Sequence, residues 1–484
     1  MKNKRLTTLD ATLLVMGGII GVGIFFKPGE VAEILPTQGA YFAAWGIGTL
    51  AALAGAMTFA ELAAMIPREG GWFEFLREGI GRLPAFLFAW VVLLVISTGA
   101  SAGVAEFCAL QLAGALAWDA GPMELRVVAG AVIGGVTLMG CFGIKRAALL
   151  QNLCMLAKLL SILVLVLVGL ALTAPAAIDG AAAIEIPTQA GSSLISGLIR
   201  ASLPVLYTFG GWQLVTYIAP SVQNPERTLP RAIVGGIVGV GVIYGLVNLA
   251  YVRVLGMERL GSEPNVAAAL AEATLGPAGA RFLSAAMAVS ALGFLVATLI
   301  ATPSIYVAMA RQKLFFATTG RLHPRTGAPV PALVLQALIC FVYLSWRGDI
   351  KGELGDAVVF AEWIFHGLAA VALLRLARRG WARPFKSPLY PLFPVLYLLI
   401  ATGVVLGNLA TTEAHITLLG LGVLGLGAVV YGIWARESRL ACPTGGTTES
   451  DLEVTISADP ADPSHPAHLS LTGKLTFKCS CSGK

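Results

Sequence analysis

The sequence contains few charged residues. Asp, Glu, Lys and Arg together make up only 12% of its 484 residues, whereas soluble globular domains carry about 25%. Hydrophobic residues make up 57%, and the mean hydropathy is +0.80. This composition excludes an ordinary soluble chain and indicates a protein embedded in a lipid bilayer.

Cysteine and histidine are also scarce, with 7 and 5 residues. Zinc sites and disulfide scaffolds need cysteines paired at short, repeated spacings, and the sequence has no CxxC pair. Cys479 and Cys481, downstream of His465 and His468, form only a weak metal-binding pattern. We therefore expect no metal site, no cofactor and no disulfide framework.

The sequence lacks the marks of nucleic-acid binding and of catalysis. The net charge is +6, but the basic residues are scattered between apolar runs and form no basic face, so no nucleic-acid partner is expected. The glycine-rich segment "GGIIGVG" is not followed by a P-loop lysine, and no Ser/His/Asp set is evident. These absences argue against a membrane-embedded enzyme.

Long apolar runs are the dominant feature. About twelve are long enough to cross about 30 Å of hydrocarbon as helices. We therefore predict an all-α membrane protein. The runs cover roughly 10–34, 40–66, 83–113, 122–142, 147–173, 195–221, 230–255, 281–311, 329–346, 355–377, 390–410 and 415–436.

The loops between the runs predict an orientation. Lys and Arg concentrate in alternate loops, for example in "RRGWARPFKSP" (378–388), and cytoplasmic loops carry such an excess. Both termini are therefore predicted to be cytoplasmic. After Arg439 the chain becomes polar and rich in Ser, Thr, Pro and Asp, which predicts a mostly disordered tail over 437–484.

Glycines interrupt two of the apolar runs. Four glycines lie within 17–23 of the first run, and Gly210 and Gly211 lie in the middle of the sixth. Non-helical backbone at membrane depth is tolerated only where it is buried in protein or lines a cavity. A Gly-x-x-x-Gly spacing is equally consistent with close helix packing. Glycine breaks at matching positions of two halves favour a transporter built from inverted repeats.

Several segments resemble the amino acid-polyamine-organocation superfamily, most closely the bacterial relatives of the L-type amino acid transporters. The resemblance extends from residue 6 to about 436. The segments are "GGIIGVGIF" (17–25), "FAELAAMIPREGGWFEFLREGIG" (59–81), "YTFGGWQ" (207–213), "NPERTLPRAI" (224–233), "FAEWIFHGL" (360–368) and "RPFKSPLYPLFPVLYLL" (383–399).

The resemblance implies a LeuT-like fold with a 5+5 inverted repeat, in which helices 1 and 6 are broken. The transporter domain would cover 1–436, with repeats at about 10–173 and 195–377 and two extra helices at about 390–436. Residues 437–484 would form the cytoplasmic tail. The fold also implies alternating access around a site near the middle of the membrane.

The resemblance places an amino-acid site at the two breaks. Free amides around 20–23 would donate to the substrate carboxylate, and free carbonyls around Tyr207, Thr208 and Gly210 would accept from its ammonium. Trp363 would form part of the pocket wall, and Tyr207 and Phe209, on either side of the second break, would cap the substrate. Val22 stands where many relatives have a small residue or a hydroxyl. The expected substrate-binding residues are Ile20, Gly21, Val22, Gly23, Tyr207, Thr208, Phe209, Gly210 and Trp363.

Lys158 lies deep in the fifth apolar run, where a charge is costly and marks a functional site. In sodium-independent relatives a lysine in this context replaces a sodium ion. Its partners there correspond to the carbonyl of Gly21 and the hydroxyl of Ser290. The lysine could be a fixed charge or could couple transport to protons. The roles of Glu106, Glu362 and His366 stay open.

We therefore expect a sodium-independent secondary transporter of amino acids, either an exchanger or a proton-coupled carrier, in a plasma membrane that is most simply a bacterial inner membrane. A polyamine or organic-amine carrier of the same fold is the main alternative, and a non-transporting sensor is another. The loop "LAWDAGPMELR" (116–126) has no cysteine, so no disulfide-linked heavy chain is expected.

Overall fold

The computed structural model describes residues 5–171, 191–263, 265–345, 350–411 and 414–440. These residues are mostly helical, and within these ranges the only strand-like pairing is an isolated bridge between Leu6 and Val222. The prediction of an all-helical chain is therefore confirmed.

The described residues contain seventeen α-helices. They are α1 (Thr8–Ile19), α2 (Lys27–Ile34), α3 (Gln38–Met65), α4 (Trp72–Gly79), α5 (Arg82–Val91), α6 (Ser97–Ala115), α7 (Pro122–Cys141), α8 (Ile144–Ala171), α9 (Gly191–Thr208), α10 (Leu214–Tyr217), α11 (Pro225–Ser262), α12 (Val266–Ala301), α13 (Pro303–Arg311), α14 (Val330–Ser345), α15 (Ile350–Arg378), α16 (Leu392–Thr411) and α17 (Ala414–Leu440).

Many of these helices have the length and composition of membrane spans. Within the described ranges, six helical stretches are long and apolar enough to cross a bilayer: Gln38–Met65, Arg82–Ala115, Pro122–Cys141, Ile144–Ala171, Pro225–Ser262 and Val266–Arg311. Five apolar helices are shorter: Thr8–Ile19, Leu194–Thr208, Val330–Ser345, Leu392–Gly407 and Gly420–Ala435. This pattern is that of a membrane protein with several spans.

The beginning of α1 is held by local and distant hydrogen bonds. Thr7 and Asp10 form a capping box, in which each side chain accepts from the backbone amide of the other residue. Just before it, the amide of Leu6 donates to the carbonyl of Ser221, and the amide of Gln223 donates to the carbonyl of Leu6. The first helix therefore starts beside the segment that follows α10.

The helices pack closely because small residues lie at their contacts. The helix α1 contacts α8, α11 and α12, and α3 contacts α9, α11 and α16. A Cβ atom added at Gly55 of α3 would lie 2.6 Å from the Tyr397 ring of α16. Glycine at this position therefore allows the tyrosine to reach the interior of the bundle.

The chain divides into two compact units, Met1–Trp434 and Ala435–Lys484. The first unit contains all the helices discussed below. Of the second unit only the end of α17 is described, so the predicted tail lies almost entirely outside the described residues. The predicted domain limits therefore stay a prediction.

Candidate functional site

The first helix ends in the middle of an apolar segment. Regular helix stops at Ile19 and resumes at Lys27, with a short 3-10 turn at Gly23–Phe25 between them. The amide of Gly21 donates to the carbonyl of Ile19 at 2.7 Å. This bond closes a tight turn immediately after the helix.

Three backbone amides follow this turn without a backbone acceptor among the described residues: those of Val22, Gly23 and Ile24. They precede or open a helical turn, where amides lack intrahelical partners. The sequence predicted free amides around 20–23, but the amides of Ile20 and Gly21 donate to the carbonyls of Met16 and Ile19, so the free set is shifted toward Ile24. These amides are suitable donors for an anionic group.

A second interruption follows α9, which ends at Thr208, and the next helical turn begins at Leu214. Between them, the amide of Gly210 donates to the carbonyl of Tyr207 at 3.3 Å. The carbonyls of Phe209 and Gly210 accept no hydrogen bond from any residue that the structure describes. They can therefore accept from a donor such as an ammonium group.

The second interruption touches the last turn of α1 at a pair of glycines. Gly211 has φ of +100°, and a Cβ atom added there would lie 2.2 Å from the carbonyl oxygen of Gly18. A Cβ atom at Gly18 would in turn lie 2.7 Å from the carbonyl oxygen of Gly211. Only glycine permits both this conformation and this approach. The glycines at 17–23 thus provide both a packing contact, at Gly18, and an amide without a backbone acceptor, at Gly23.

Tyr244 of α11 joins the two helix ends. Its hydroxyl lies 2.9 Å from the carbonyl oxygen of Thr208 and 3.3 Å from that of Ile19. The side chain is buried, and Phe209 packs edge-on against it at 5.1 Å between ring centroids. We did not predict this residue from the sequence. One signal was present: Tyr244 is a polar group inside an apolar run, and Asn248 donates to its carbonyl one turn later.

Both interruptions line a single cavity of about 390 Å³. Ile20 is the one predicted substrate-binding residue outside this lining, and its side chain is fully buried. Tyr207 is 46% exposed and Phe209 only 2%, so Tyr207 has the more accessible ring. The predicted residues that line the cavity are Gly21, Val22, Gly23, Tyr207, Thr208, Phe209, Gly210 and Trp363.

Lys158 lies beside the first helix end and outside the cavity lining. It is 1% exposed, and its ammonium donates to the carbonyl of Ile20. The hydroxyl of Ser290 donates to the carbonyl of Gly21 at 2.7 Å. The expected acceptor for the lysine was Gly21, so the structure differs by one residue. The turn after Ile19 presents two successive carbonyls, and the lysine and the serine each bind one.

One wall of the cavity is polar. Glu362 and His366 lie one turn apart on α15, and both line the cavity. An oxygen of Glu362 accepts from the amide nitrogen of Gln213 at 2.8 Å. The Nδ1 atom of His366 lies 2.6 Å from the hydroxyl of Tyr397. Trp363 is 9% exposed and lies beside His366, at 5.1 Å between ring centroids.

The described residues offer no metal site. No group of three or more His, Cys, Asp or Glu residues within them could hold a metal ion. The described cysteines, Cys108, Cys141, Cys154 and Cys340, are unpaired. The chemistry available at the cavity is therefore that of backbone donors and acceptors, aromatic rings and a few polar side chains.

Comparison with known proteins identifies relatives along most of the chain. The model of the family described as amino acid permease matches residues 6–428. The serine/threonine exchanger SteT of Bacillus subtilis (strain 168) is 28% identical over 443 residues, which cover 90% of this chain and 98% of that protein.

Mammalian transporters match over a similar length. The b(0,+)-type amino acid transporter 1 of Mus musculus is 28% identical over 415 residues, covering 85% of this chain and 84% of that protein. The cystine/glutamate transporter of Homo sapiens is 27% identical over 401 residues, covering 81% and 78%. The family match extends over most of the chain, so the predicted resemblance is confirmed. The protein belongs to the amino acid permease family and is an amino acid transporter.

Proposed function

We propose that this protein exchanges amino acids across a bacterial plasma membrane by alternating access and without sodium. One observation carries the proposal: amides without acceptors at Val22 and Gly23 and carbonyls without donors at Phe209 and Gly210 line the same cavity. A Cβ atom at Gly23 would lie 3.1 Å from the Thr208 side chain, so the two sets are adjacent. An α-amino acid carries a carboxylate and an ammonium on one carbon. Its binding therefore needs both the set of amides and the set of carbonyls.

The interruptions at 20–26 and 209–213 correspond in this proposal to the broken helices 1 and 6 of a LeuT-like fold. Repeats at about 10–173 and 195–377 and two extra helices at about 390–436 complete a twelve-span chain. The distribution of Lys and Arg supports cytoplasmic termini. The apolar helices of the first unit support several spans.

Lys158 occupies the position of a cation in this proposal. Its ammonium is buried and binds a carbonyl at the end of α1, where a positive charge holds the interrupted backbone in place. A fixed ammonium removes the need for a sodium ion. The name of the Bacillus relative, a serine/threonine exchanger, supports exchange as the mode of transport.

The loop at 116–126 contains no cysteine, so we propose that the protein works without a disulfide-linked heavy chain. The rival function is transport of polyamines or other organic amines on the same fold. Such substrates have no carboxylate, and the amides at 22–24 would then have no role. Competition experiments with matched amines separate the two functions.

The test is uptake by proteoliposomes that contain the purified protein. Labelled serine and leucine are offered outside, with and without unlabelled amino acids inside, in sodium or in choline buffer. We expect uptake that depends on internal amino acid and is equal in the two buffers. Uptake that requires a sodium gradient, or that free amines but not amino acids inhibit, would contradict the proposal.

A further inference from the structure

We propose that Glu362 and His366 form a proton-binding site that is linked to the substrate cavity, so that transport responds to pH. This inference rests on the transport function proposed above and concerns a pair of residues distinct from the fixed ammonium of Lys158. The two residues lie one turn apart on α15, and their side chains approach each other to 3.7 Å between Nε2 and Oε1. Both line the cavity.

The side chain of His366 lies among aromatic rings. The imidazole is 5% exposed. A cation is attracted to the faces of such rings, most strongly to tryptophan. The rings, with their centroid distances from the imidazole, are Trp72 at 4.4 Å, Trp363 at 5.1 Å, Tyr397 at 5.6 Å, Phe59 at 5.8 Å and Trp212 at 5.9 Å.

The hydrogen bonds of His366 allow both charge states. When the ring is neutral, the Tyr397 hydroxyl donates to Nδ1 and the remaining hydrogen is on Nε2, facing Glu362. When the ring takes up a proton, Nδ1 donates to the tyrosine oxygen and Nε2 still faces the carboxylate. Protonation therefore leaves no buried nitrogen without a partner. It turns a weak contact with Glu362 into an ion pair.

A single oxygen of Glu362 connects the histidine to the substrate site. Its Oε1 atom lies 3.7 Å from His366 and accepts from Gln213 at 2.8 Å. The other end of the Gln213 amide accepts from the backbone of Gly211 at 3.1 Å. Gly211 is the residue that touches the first helix end at Gly18. The protonatable pair is thus two hydrogen bonds away from the interrupted backbone.

Protonation changes this connection. A charged imidazolium binds a carboxylate at about 2.7–2.9 Å, so the gap between His366 and Glu362 has to close by about 1 Å. Because Gln213 donates to the same oxygen of Glu362, this movement either weakens the hydrogen bond between Gln213 and Glu362 or displaces the Gln213 side chain. Either change acts on Gly211, at the point where the second interruption contacts the last turn of α1.

The other charged groups near the pair do not supply Glu362 with a positive partner in place of the proton. The helix α15 packs against α3, α4, α6, α16 and the short π-helix Val92–Ile96. Glu61 of α3 and Glu74 of α4 are paired with Arg383 and Arg77. Glu106 of α6 is the other carboxylate in the described cavity lining, which contains no Lys or Arg.

The remaining titratable groups of the described lining are tyrosines, which stay neutral near pH 7: Tyr207, Tyr217, Tyr343 and Tyr397. Glu362 has no Lys or Arg beside it in the described lining. A carboxylate at membrane depth without such a cation is costly. Uptake of a proton by the pair relieves that cost.

The test compares exchange rates in proteoliposomes from about pH 5 to 8 for the wild type, His366→Gln and Glu362→Gln. The control is His323→Gln, because His323 lies on an exposed loop, where it contacts Thr326. We expect a rate that changes severalfold with pH in the wild type and the control, and a flat profile in the two α15 variants. Active α15 variants with the wild-type profile would overturn the proposal.

Two further readouts keep the test decisive. If Glu362→Gln changes only the competition by cationic amino acids and keeps the pH profile, the carboxylate binds substrate and the proposal is wrong. If the variants do not fold, the wild type is titrated with serine in weakly buffered detergent solution. A proton taken up or released on binding supports the site, and its absence overturns it. A wild type that transports no amino acid at any pH would instead refute the transport function itself.

Discussion

Replacing Gly211 by alanine is the sharpest perturbation of the contact between the second interruption and the last turn of α1. The residue has φ of +100°, and the added Cβ would lie 2.2 Å from the carbonyl oxygen of Gly18. That oxygen belongs to backbone, so it cannot rotate away as a side chain would. An ordinary contact of 3.4 Å or more requires the two segments to separate by about 1 Å.

The magnitude follows from two terms. Holding a non-glycine residue at such a φ costs about 1–3 kcal/mol, and forcing an extra carbon into a packed contact costs about 1–3 kcal/mol more. The conformation described here should therefore lose about 2 to 6 kcal/mol in Gly211→Ala. Since 1.4 kcal/mol corresponds to about a factor of ten, uptake should fall more than tenfold.

The neighbouring glycine provides a matched control. A Cβ atom at Gly210 would have the Tyr207 carbonyl as its nearest neighbour, at 3.5 Å. We expect Gly210→Ala to keep the midpoint of thermal unfolding close to that of the wild type, because its added Cβ meets no atom closer than 3.5 Å. Both variants are compared for uptake in proteoliposomes and for the midpoint of thermal unfolding in detergent. Equal behaviour of the two variants would refute the view that Gly211 fixes the contact.

Three further substitutions test other parts of the account. Lys158→Met removes a charged donor to the carbonyl of Ile20, a hydrogen bond worth about 1.5–3 kcal/mol, and should lower uptake more than tenfold. Uptake within twofold of the wild type would contradict the role of the lysine. Tyr244→Phe removes the hydroxyl between the two helix ends and should lower the free energy of unfolding by about 1–3 kcal/mol, seen as a lower unfolding temperature and a higher KM. Unchanged values would show that the hydroxyl bridge is dispensable. Arg383→Ala leaves the fully buried carboxylate of Glu61 without its cation and should lower stability in thermal unfolding by about 3–5 kcal/mol. Adding Glu61→Gln should restore part of this stability, and no recovery would contradict the pairing.

Helix positions were predictable because bilayer thickness fixes the length of an apolar run. The run predicted at 83–113 corresponds to the helical stretch Arg82–Ala115. The run predicted at 10–34 corresponds to α1 and α2 with the interruption between them. Glycine pairs also pointed to the site, since glycine is unfavourable in a helix unless the backbone has a special conformation or a close neighbour.

The details of the site depend on contacts between distant parts of the chain. Gln213 and Glu362 are 149 positions apart, and only the packed bundle brings them together. Lys158 donates to the carbonyl of Ile20 instead of the expected carbonyl of Gly21. This difference depends on a turn that is closed by one backbone hydrogen bond, from the amide of Gly21. A sequence motif locates such a break but does not specify which carbonyl points in which direction.

The central claim is that the interrupted backbone binds the carboxylate and the ammonium of an amino acid. It is tested most directly by competition against labelled serine exchange, using pairs of compounds that differ only in the α-carboxylate: an amino acid and the amine obtained from it by decarboxylation. The account predicts that the amino acid competes and that the amine does so at least tenfold more weakly in every pair. Equal competition by the amines would contradict it.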